Sequence, residues 1–330
     1  MDYELPNLEF LRAFNTVAEV RVLKKAAQRL GLTSSAVSQA LSKLEAQLGA
    51  ELFEHDVRPL KLTPAGSRLL ESSRRLVAEA EQLASQVSNH SLKEFALRLG
   101  IGETATATIG PWLVADLIGR VRKLETRTLL ARPLSDELRA GALDVIISPD
   151  SLLTEERWAH CGLYEEDFLF ASARSIPLPR TPEELQLISV KYPFITYAGG
   201  SSDEVVMSRI LRSMNVHPFG RVTASASYML VGLVSQQEGW TIIPPTNLWC
   251  GRQFLKDVHA GPLPGGRRVT RTMWAVSDRL LLPEMLEVVA EAATAAFRDR
   301  MMRELEGISP LLKKSCRLLC SKGSDQYNVL

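Results

Sequence analysis

Six polar side chains that could meet DNA, hydroxyls and an amide for base edges and a lysine for phosphate, lie close together: Ser34, Ser35, Ser38, Gln39, Ser42 and Lys43. Short hydroxyls and a glutamine amide hydrogen-bond to base edges, and a DNA major groove is wide enough for the helix that would carry them. Thr33 precedes them with an oxygen suited to capping that helix and to a contact beside it. Lys24 and Lys25 before this run, and Arg58 and Lys61 after it, are cations of the kind that meet phosphates and set register. Residues 20–44 contain five basic side chains and no acidic one, whereas 1–90 balances 11 Lys/Arg against 11 Asp/Glu. The basic character is therefore a local face and not the property of a whole domain. The solvated side of a small helical bundle fits the same polar pattern.

Such residues need a scaffold. Phe10, Leu11, Phe14, Val17 and Ala18 recur at helical spacing and predict a helix over 8–19. Ala26, Ala27 and Leu30 predict a second over 23–30, and Gly31 stands where a left-handed cap is wanted. Val37, Leu41, Leu44 and Leu48 form one stripe of a third helix over 34–48, opposite the polar face. A short helix, a tight turn with glycine and a second helix with a polar outer face form a helix-turn-helix. Leu52-Phe53 and then Arg58 to Thr63 predict a small β-wing, and Thr63-Pro64 predicts the start of a long helix over 64–90. On that helix Leu69, Ser73, Leu76, Ala80, Leu83 and Val87 follow the four-three spacing of a coiled-coil seam. Leu69, Leu76, Leu83 and Val87 are thus candidate dimerising residues; packing on the helix's own domain is the alternative.

Up to this point the sequence resembles the LysR-type transcriptional regulators. The resemblance rests on Leu11, Phe14, Val17 and Ala18, on Ala26-Ala27 and Leu30, and on Ser34-Ser35-Ala36-Val37-Ser38-Gln39. It continues through Leu44-Glu45 and Leu48-Gly49 to Leu52-Phe53, Arg58, Leu62-Thr63 and Ala65-Gly66. Ser34-Ser35, Gln39 and His55 depart from the family's usual residues, which bears on base contacts and not on docking. The resemblance implies a multi-domain α+β protein: a winged helix-turn-helix (1–65), a dimerising linker helix (66–91) and an effector-binding α/β domain (92–306). It implies that the last resembles periplasmic binding proteins, with subdomain I at about 92–163 and 266–306 and subdomain II at about 164–265. It further implies double-stranded operator DNA as a partner, self-association as a homodimer with a dimer of dimers expected, and a small-molecule effector between the subdomains.

From Phe95 onward, β-type runs alternate with helical ones, which predicts parallel-rich α/β layers. Several junctions there carry groups that could hold a small polar metabolite. Gly102, Glu103, Thr104 and Thr106 follow the first strand, and Ser148 ends the third. Ser201 and Ser202 open one helix, and Ser225 and Ser227 precede another. Hydroxyls and free N–H groups at helix starts suit a carboxylate on the effector. Ordinary helix capping uses the same residues, and Glu103 and the Asp203-Glu204 pair could instead meet an amino group.

A rival reading is a dinucleotide-dependent α/β enzyme with an accessory helical domain, because Gly100-Ile101-Gly102-Glu103-Thr104-Ala105 follows a strand as a G-x-G-x-x-A run. Pro111 interrupts the following segment, and Arg132-Pro133 ends the next strand without an acidic residue for a ribose. No nucleophile motif, phosphate loop or histidine pair at ligand spacing stands elsewhere, so no catalytic residue, metal or cofactor is expected. Cys161, Cys250, Cys316 and Cys320 are too scattered for a disulfide framework or zinc site. With 45% hydrophobic and 23% charged residues, an acidic N-terminus and no long apolar run, the expected compartment is the cytoplasm, with no membrane partner. Residues 307–330 form a tail whose leucines and basic residues could pack on a partner.

Overall fold

A computed structural model describes residues 5–54, 59–87, 95–199, 201–218, 221–281 and 283–319, with the backbone alone at 81–87 and 221. The chain divides into two units, 1–90 with 137–142 and 91–136 with 143–330; each is taken by itself.

In the first unit α1 (Leu8–Val20), α2 (Leu23–Leu30) and α3 (Ser34–Leu48) precede a two-strand wing, β1 (Phe53–Glu54) and β2 (Lys61–Leu62), and then α4 (Pro64–Val87). Local chemistry sets each boundary. The Asn7 side chain accepts from the Glu9 N–H at 2.8 Å and starts α1. Gly31 ends α2 at φ 68°, and the Thr33 hydroxyl accepts from the Ala36 N–H at 3.1 Å to start α3. The Leu60 N–H donates to the Arg21 carbonyl at 3.1 Å, so the wing's return strand is tied to the end of α1. Leu11, Phe14, Val17, Ala26, Val37 and Leu44 are buried together with Leu52 and Phe53, and the rings of Phe14 and Phe53 lie 5.4 Å apart. Each of the Val, Leu and Phe side chains contributes about 1.5–3 kcal/mol by leaving water. Gly66 is required here, because a Cβ would sit 2.1 Å from the Leu52 carbonyl oxygen.

The second unit is built on two sheets. Its strands are β3 (Ala96–Gly102), β4 (Lys123–Leu129), β5 (Val145–Ser148), β6 (Trp158–Asp167), β7 (Leu169–Ala173), β8 (Phe194–Tyr197), β9 (Arg221–Ala224), β10 (Trp240–Ile243), β11 (Val258–Pro262), β12 (Thr270–Asp278) and β13 (Cys316–Leu318). Among the described residues they form the orders β13-β6-β12-β5-β3-β4 and β11-β7-β10-β8-β9. The sheets are mixed, which corrects the expectation of parallel-rich layers. β3 pairs in parallel with β4 and β5, but β12 pairs antiparallel with β5 and β6. The difference comes from β6 and β12, two long strands that were not foreseen. β6 mixes His160, Glu165 and Glu166 with Trp158 and Tyr164, so it shows no clean alternation.

β6 and β12 also carry the chain between the sheets, outward at Phe168 and back between Pro262 and Thr270. Residues 164–167 therefore belong with the first sheet, beyond the expected boundary at 163. The tail segment 310–318 does not stand free. After a short helix, Pro310–Lys314, β13 pairs antiparallel with β6, and Arg317 reaches Glu165 at 2.5 Å and Asp167 at 2.7 Å. Tyr164 stacks on Phe297 with ring centroids 3.7 Å apart, under the same strand.

Candidate nucleic-acid face and effector cavity

On α3, packing decides which residues are available. Val37, Leu41 and Leu44 are buried, and this turns Ser34, Ser35, Ser38, Gln39, Ser42 and Lys43 outward, all exposed. Lys24 and Lys25 are exposed on α2 and Lys61 on β2; Arg58 lies outside the described residues. Thr33 is committed to its cap. Arg29 is held by Glu19 at 3.0 Å, and the Lys43 ammonium sits 5.8 Å from the Phe10 ring centroid. On α4, Leu69 and Val77 pack against the core of their own unit, and Ser73 is fully buried, donating to Asn15 at 2.6 Å. That part of the expected seam therefore serves the winged helix itself. Leu76 is 48% exposed, while the side chains of Leu83 and Val87 lie outside the described residues.

In the second unit a cavity of about 280 Å³ opens between the two sheets. Gly102, Glu103 and Thr104, at the end of β3 and the start of the helix Glu103–Thr108, form one wall. Ser201, Ser202 and Asp203, at the start of the helix Ser202–Ser213, form the opposite one with Ser225. Two expected residues are elsewhere. Thr106 does not line the cavity; its hydroxyl is 3.0 Å from that of Thr128. Ser148 is fully buried and accepts from the Asp150 N–H at 3.1 Å, an ordinary turn. Ser227 lies beneath the surface, and its hydroxyl donates to Glu103 Oε2 at 3.0 Å.

Sequence reading missed the floor of the cavity, which is Arg271, Asn247 and Tyr197. Arg271 on β12 donates to Glu166 Oε2 at 2.9 Å and to Asp203 Oδ2 at 2.7 Å, and it also reaches Thr246 and the Asn247 carbonyl oxygen. Asn247 donates to Tyr197 Oη at 2.6 Å and to Asp203 Oδ2 at 3.0 Å. Tyr197 Oη lies 2.9 Å from Ser227 Oγ, so the donors run in one direction from Arg271 through Asn247, Tyr197 and Ser227 to Glu103. Burial works against the charge on Arg271, but the carboxylates of Asp203 and Glu166 outweigh it and raise its pKa above the ordinary arginine value. Burial likewise raises the Tyr197 phenol, which stays protonated as a donor. A signal for Arg271 was present: it shares the inward face of its strand with Met273 and Ala275, where an unpaired cation would be too costly.

The glycines of the G-x-G-x-x-A run have a packing role. A Cβ on Gly100 would lie 2.6 Å from Leu143 and 2.7 Å from Leu134. Among the described residues no cysteine lines the cavity. Cys250, behind it, has its thiol pushed up to about 12 by burial and by the Glu103 carboxylate.

Comparison with known proteins covers both units. Residues 8–67 match the family described as bacterial regulatory helix-turn-helix protein, lysR family, and residues 92–298 match the LysR substrate binding domain. An HTH-type transcriptional regulator, HdfR, from Yersinia enterocolitica is 38% identical over 302 residues, 88% of this chain and 99% of that protein. A probable hydrogen peroxide-inducible genes activator from Mycobacterium xenopi is 34% identical over 176 residues, 52% of this chain and 93% of that protein. Full-length OxyR from Pseudomonas aeruginosa shares the fold at a TM-score of 0.71 and 19% identity, over 88% of this chain and 95% of that one. These matches lend nothing to the dinucleotide-enzyme alternative.

Proposed function

The chain belongs to the LysR family of DNA-binding transcription regulators with an effector-binding domain, and we propose how its own residues divide that work. Ser34, Ser35, Ser38 and Gln39 read base edges in a major groove, with Ser42 beside them, while Lys24, Lys25, Lys43, Arg58 and Lys61 hold phosphates. The chain acts as a homodimer, paired through α4 by Leu76, Leu83 and Val87, on an operator of two half-sites. A dimer of dimers is the fuller assembly. The effector is a small metabolite rather than a tightly held cofactor, and the working compartment is the cytoplasm. Among the described residues no helix is long and apolar enough to cross a membrane.

The observation that carries the reading is the cavity. Six of the nine residues expected to meet an effector line it, from both sheets, over a buried network of hydrogen bonds. A ligand there regulates only by favouring one arrangement of the chain over another. Peroxide sensing, which the name of the Mycobacterium xenopi relative suggests, finds little support at this cavity. A thiolate is the reactive form of cysteine, and Cys250 is held protonated.

The test is linkage on the full chain. An operator is selected from randomised duplexes, and metabolites that raise the thermal midpoint are titrated with and without it. Effector and operator must change each other's affinity by the same factor. A metabolite bound in the cavity that leaves operator affinity unchanged would refute the regulatory role.

A further inference from the structure

The charges around the cavity are unequal, and the imbalance selects a ligand. Two carboxylates line it, Glu103 and Asp203, and a third, Glu166, is buried beneath against Arg271. Among the described residues Arg271 is the buried cation at its floor, and its donors are taken by Glu166, Asp203, Asn247 and Thr246. Two carboxylates nevertheless keep an open oxygen. Asp203 is only 8% exposed, and among the described residues Oδ2 alone accepts hydrogen bonds, from Arg271 and Asn247. Glu103 accepts from Ser227 through Oε2, and Oε1 accepts from no described residue. The remaining charge in the lining is Arg132, exposed at the start of the helix Ala131–Arg139.

A ligand ammonium placed against two such open carboxylate oxygens makes a charge-assisted hydrogen bond to each. A ligand that is only an anion would meet two open carboxylate oxygens while Arg271 is already engaged. The wall that carries Asp203 also offers donors. The Ser201 hydroxyl there accepts from the Glu204 N–H at 3.1 Å, which leaves the first N–H groups of the 12-residue helix Ser202–Ser213 for a negative group. Arg132 is a second cation in the lining.

We propose that the effector is a small zwitterion of the amino-acid class, its ammonium against Glu103 and Asp203 and its carboxylate toward Arg132 and the start of helix Ser202–Ser213. This rests on the cavity being the effector site. The volume of about 280 Å³ fits a molecule of that size and is too small for a dinucleotide.

The experiment uses three matched arms on the full chain at pH 7: the coded L-amino acids, the amines left when each loses its carboxylate, and the acids left when each loses its amine. Thermal shift ranks them, and calorimetry measures those that bind. One or more amino acids should bind best, with the matching amine ahead of the matching acid. Glu103→Gln should weaken both ammonium-bearing forms by about tenfold or more, the loss of a charged hydrogen bond. Arg132→Gln, at an exposed position that folding does not need, should weaken the amino acid and spare the amine. Gly199 belongs to the lining and a Cβ there meets no atom within 4 Å, so Gly199→Trp, which adds a large ring at the lining, should abolish binding. Acids binding more tightly than amines, indifference to Glu103→Gln, or silence from every ammonium-bearing compound overturns the proposal. Binding that survives Gly199→Trp instead overturns the assignment of the cavity as the effector site.

Discussion

The DNA face and the effector cavity are built on opposite plans. Four base-reading candidates sit within six consecutive residues of α3 and project from a helix whose other side is clamped by Val37, Leu41 and Leu44. None of them needs a distant partner. The cavity instead draws on residues from Gly102 to Met273, and its buried polar groups are held by others far along the chain. Arg271 and Glu166 are 105 residues apart, and Ser227 and Glu103 are 124 apart. A surface helix tolerates change residue by residue, whereas a buried polar network stands or falls as a unit. Substitutions on α3 should therefore change what the protein binds, and substitutions at the cavity floor should change whether the second unit holds together.

The largest expected effect tests that contrast directly. Arg271→Met leaves Glu166 and Asp203 buried without their cation, which should cost about 3–5 kcal/mol of stability. A urea titration of the full chain should show the loss, and an unchanged midpoint would mean the network is not the keystone of the unit. Next comes Leu76→Lys. With the exposed side of α4 disrupted, the two DNA-reading units lose their linkage, and operator affinity should fall by about 10²-fold, the scale of lost avidity. Sedimentation of the full chain must show dissociation in parallel; a variant that remains dimeric would assign pairing to another surface.

Gln39→Ala should cost about 1–3 kcal/mol at one operator position and leave the others unchanged. A uniform loss across a randomised operator would make Gln39 a backbone contact instead. A smaller effect is expected from Thr104→Val. Its hydroxyl lies 3.4 Å from both Glu103 Oε2 and Ser227 Oγ, so effector affinity should drop by about 1 kcal/mol, measured by calorimetry.

The smallest effect concerns the terminal strand. Burial tends to raise the Asp167 pKa, but hydrogen bonds from Arg317 and Arg268 outweigh it and hold the carboxyl below its usual range. A carboxylate with a depressed folded pKa contributes stability above its unfolded value of about 3.9, and that contribution is lost as pH falls through the folded value. Pairing of β13 with β6 should thus be unaffected near neutrality and weaken only at pH below about 4. Hydrogen exchange at the Leu319 amide, which donates to the Leu163 carbonyl at 3.1 Å, follows this. Arg317→Ala should lower protection by about 1 kcal/mol or less, because these partners are partly solvated.

What could be read without a structure follows the range of each signal. Val37, Leu41 and Leu44 mark a helix face by spacing alone, Thr33 and Gly31 mark its ends, and Leu52-Phe53 with Leu62-Thr63 mark the wing. Each cue acts within about one helical turn or one strand pair. β6 and β12 were not legible because residues such as Glu166 and Arg271 break the alternation that marks a strand. They are tolerated inside only because they meet each other.

The sequence by itself determined the DNA-reading unit, its family and the glycine-, serine- and threonine-rich junctions where a ligand could sit. Only the tertiary structure decided which junctions converge, that Thr106 and Ser148 turn away, and that Leu69 and Ser73 serve their own unit. It also decided the polarity of the cavity. Whether a carboxylate such as Asp203 is neutralised or left open depends on which guanidinium reaches it, and that is set by the pairing of strands remote in sequence. A local pattern carries no information about a partner 68 residues away, and the electrostatics of a buried site are determined by such partners.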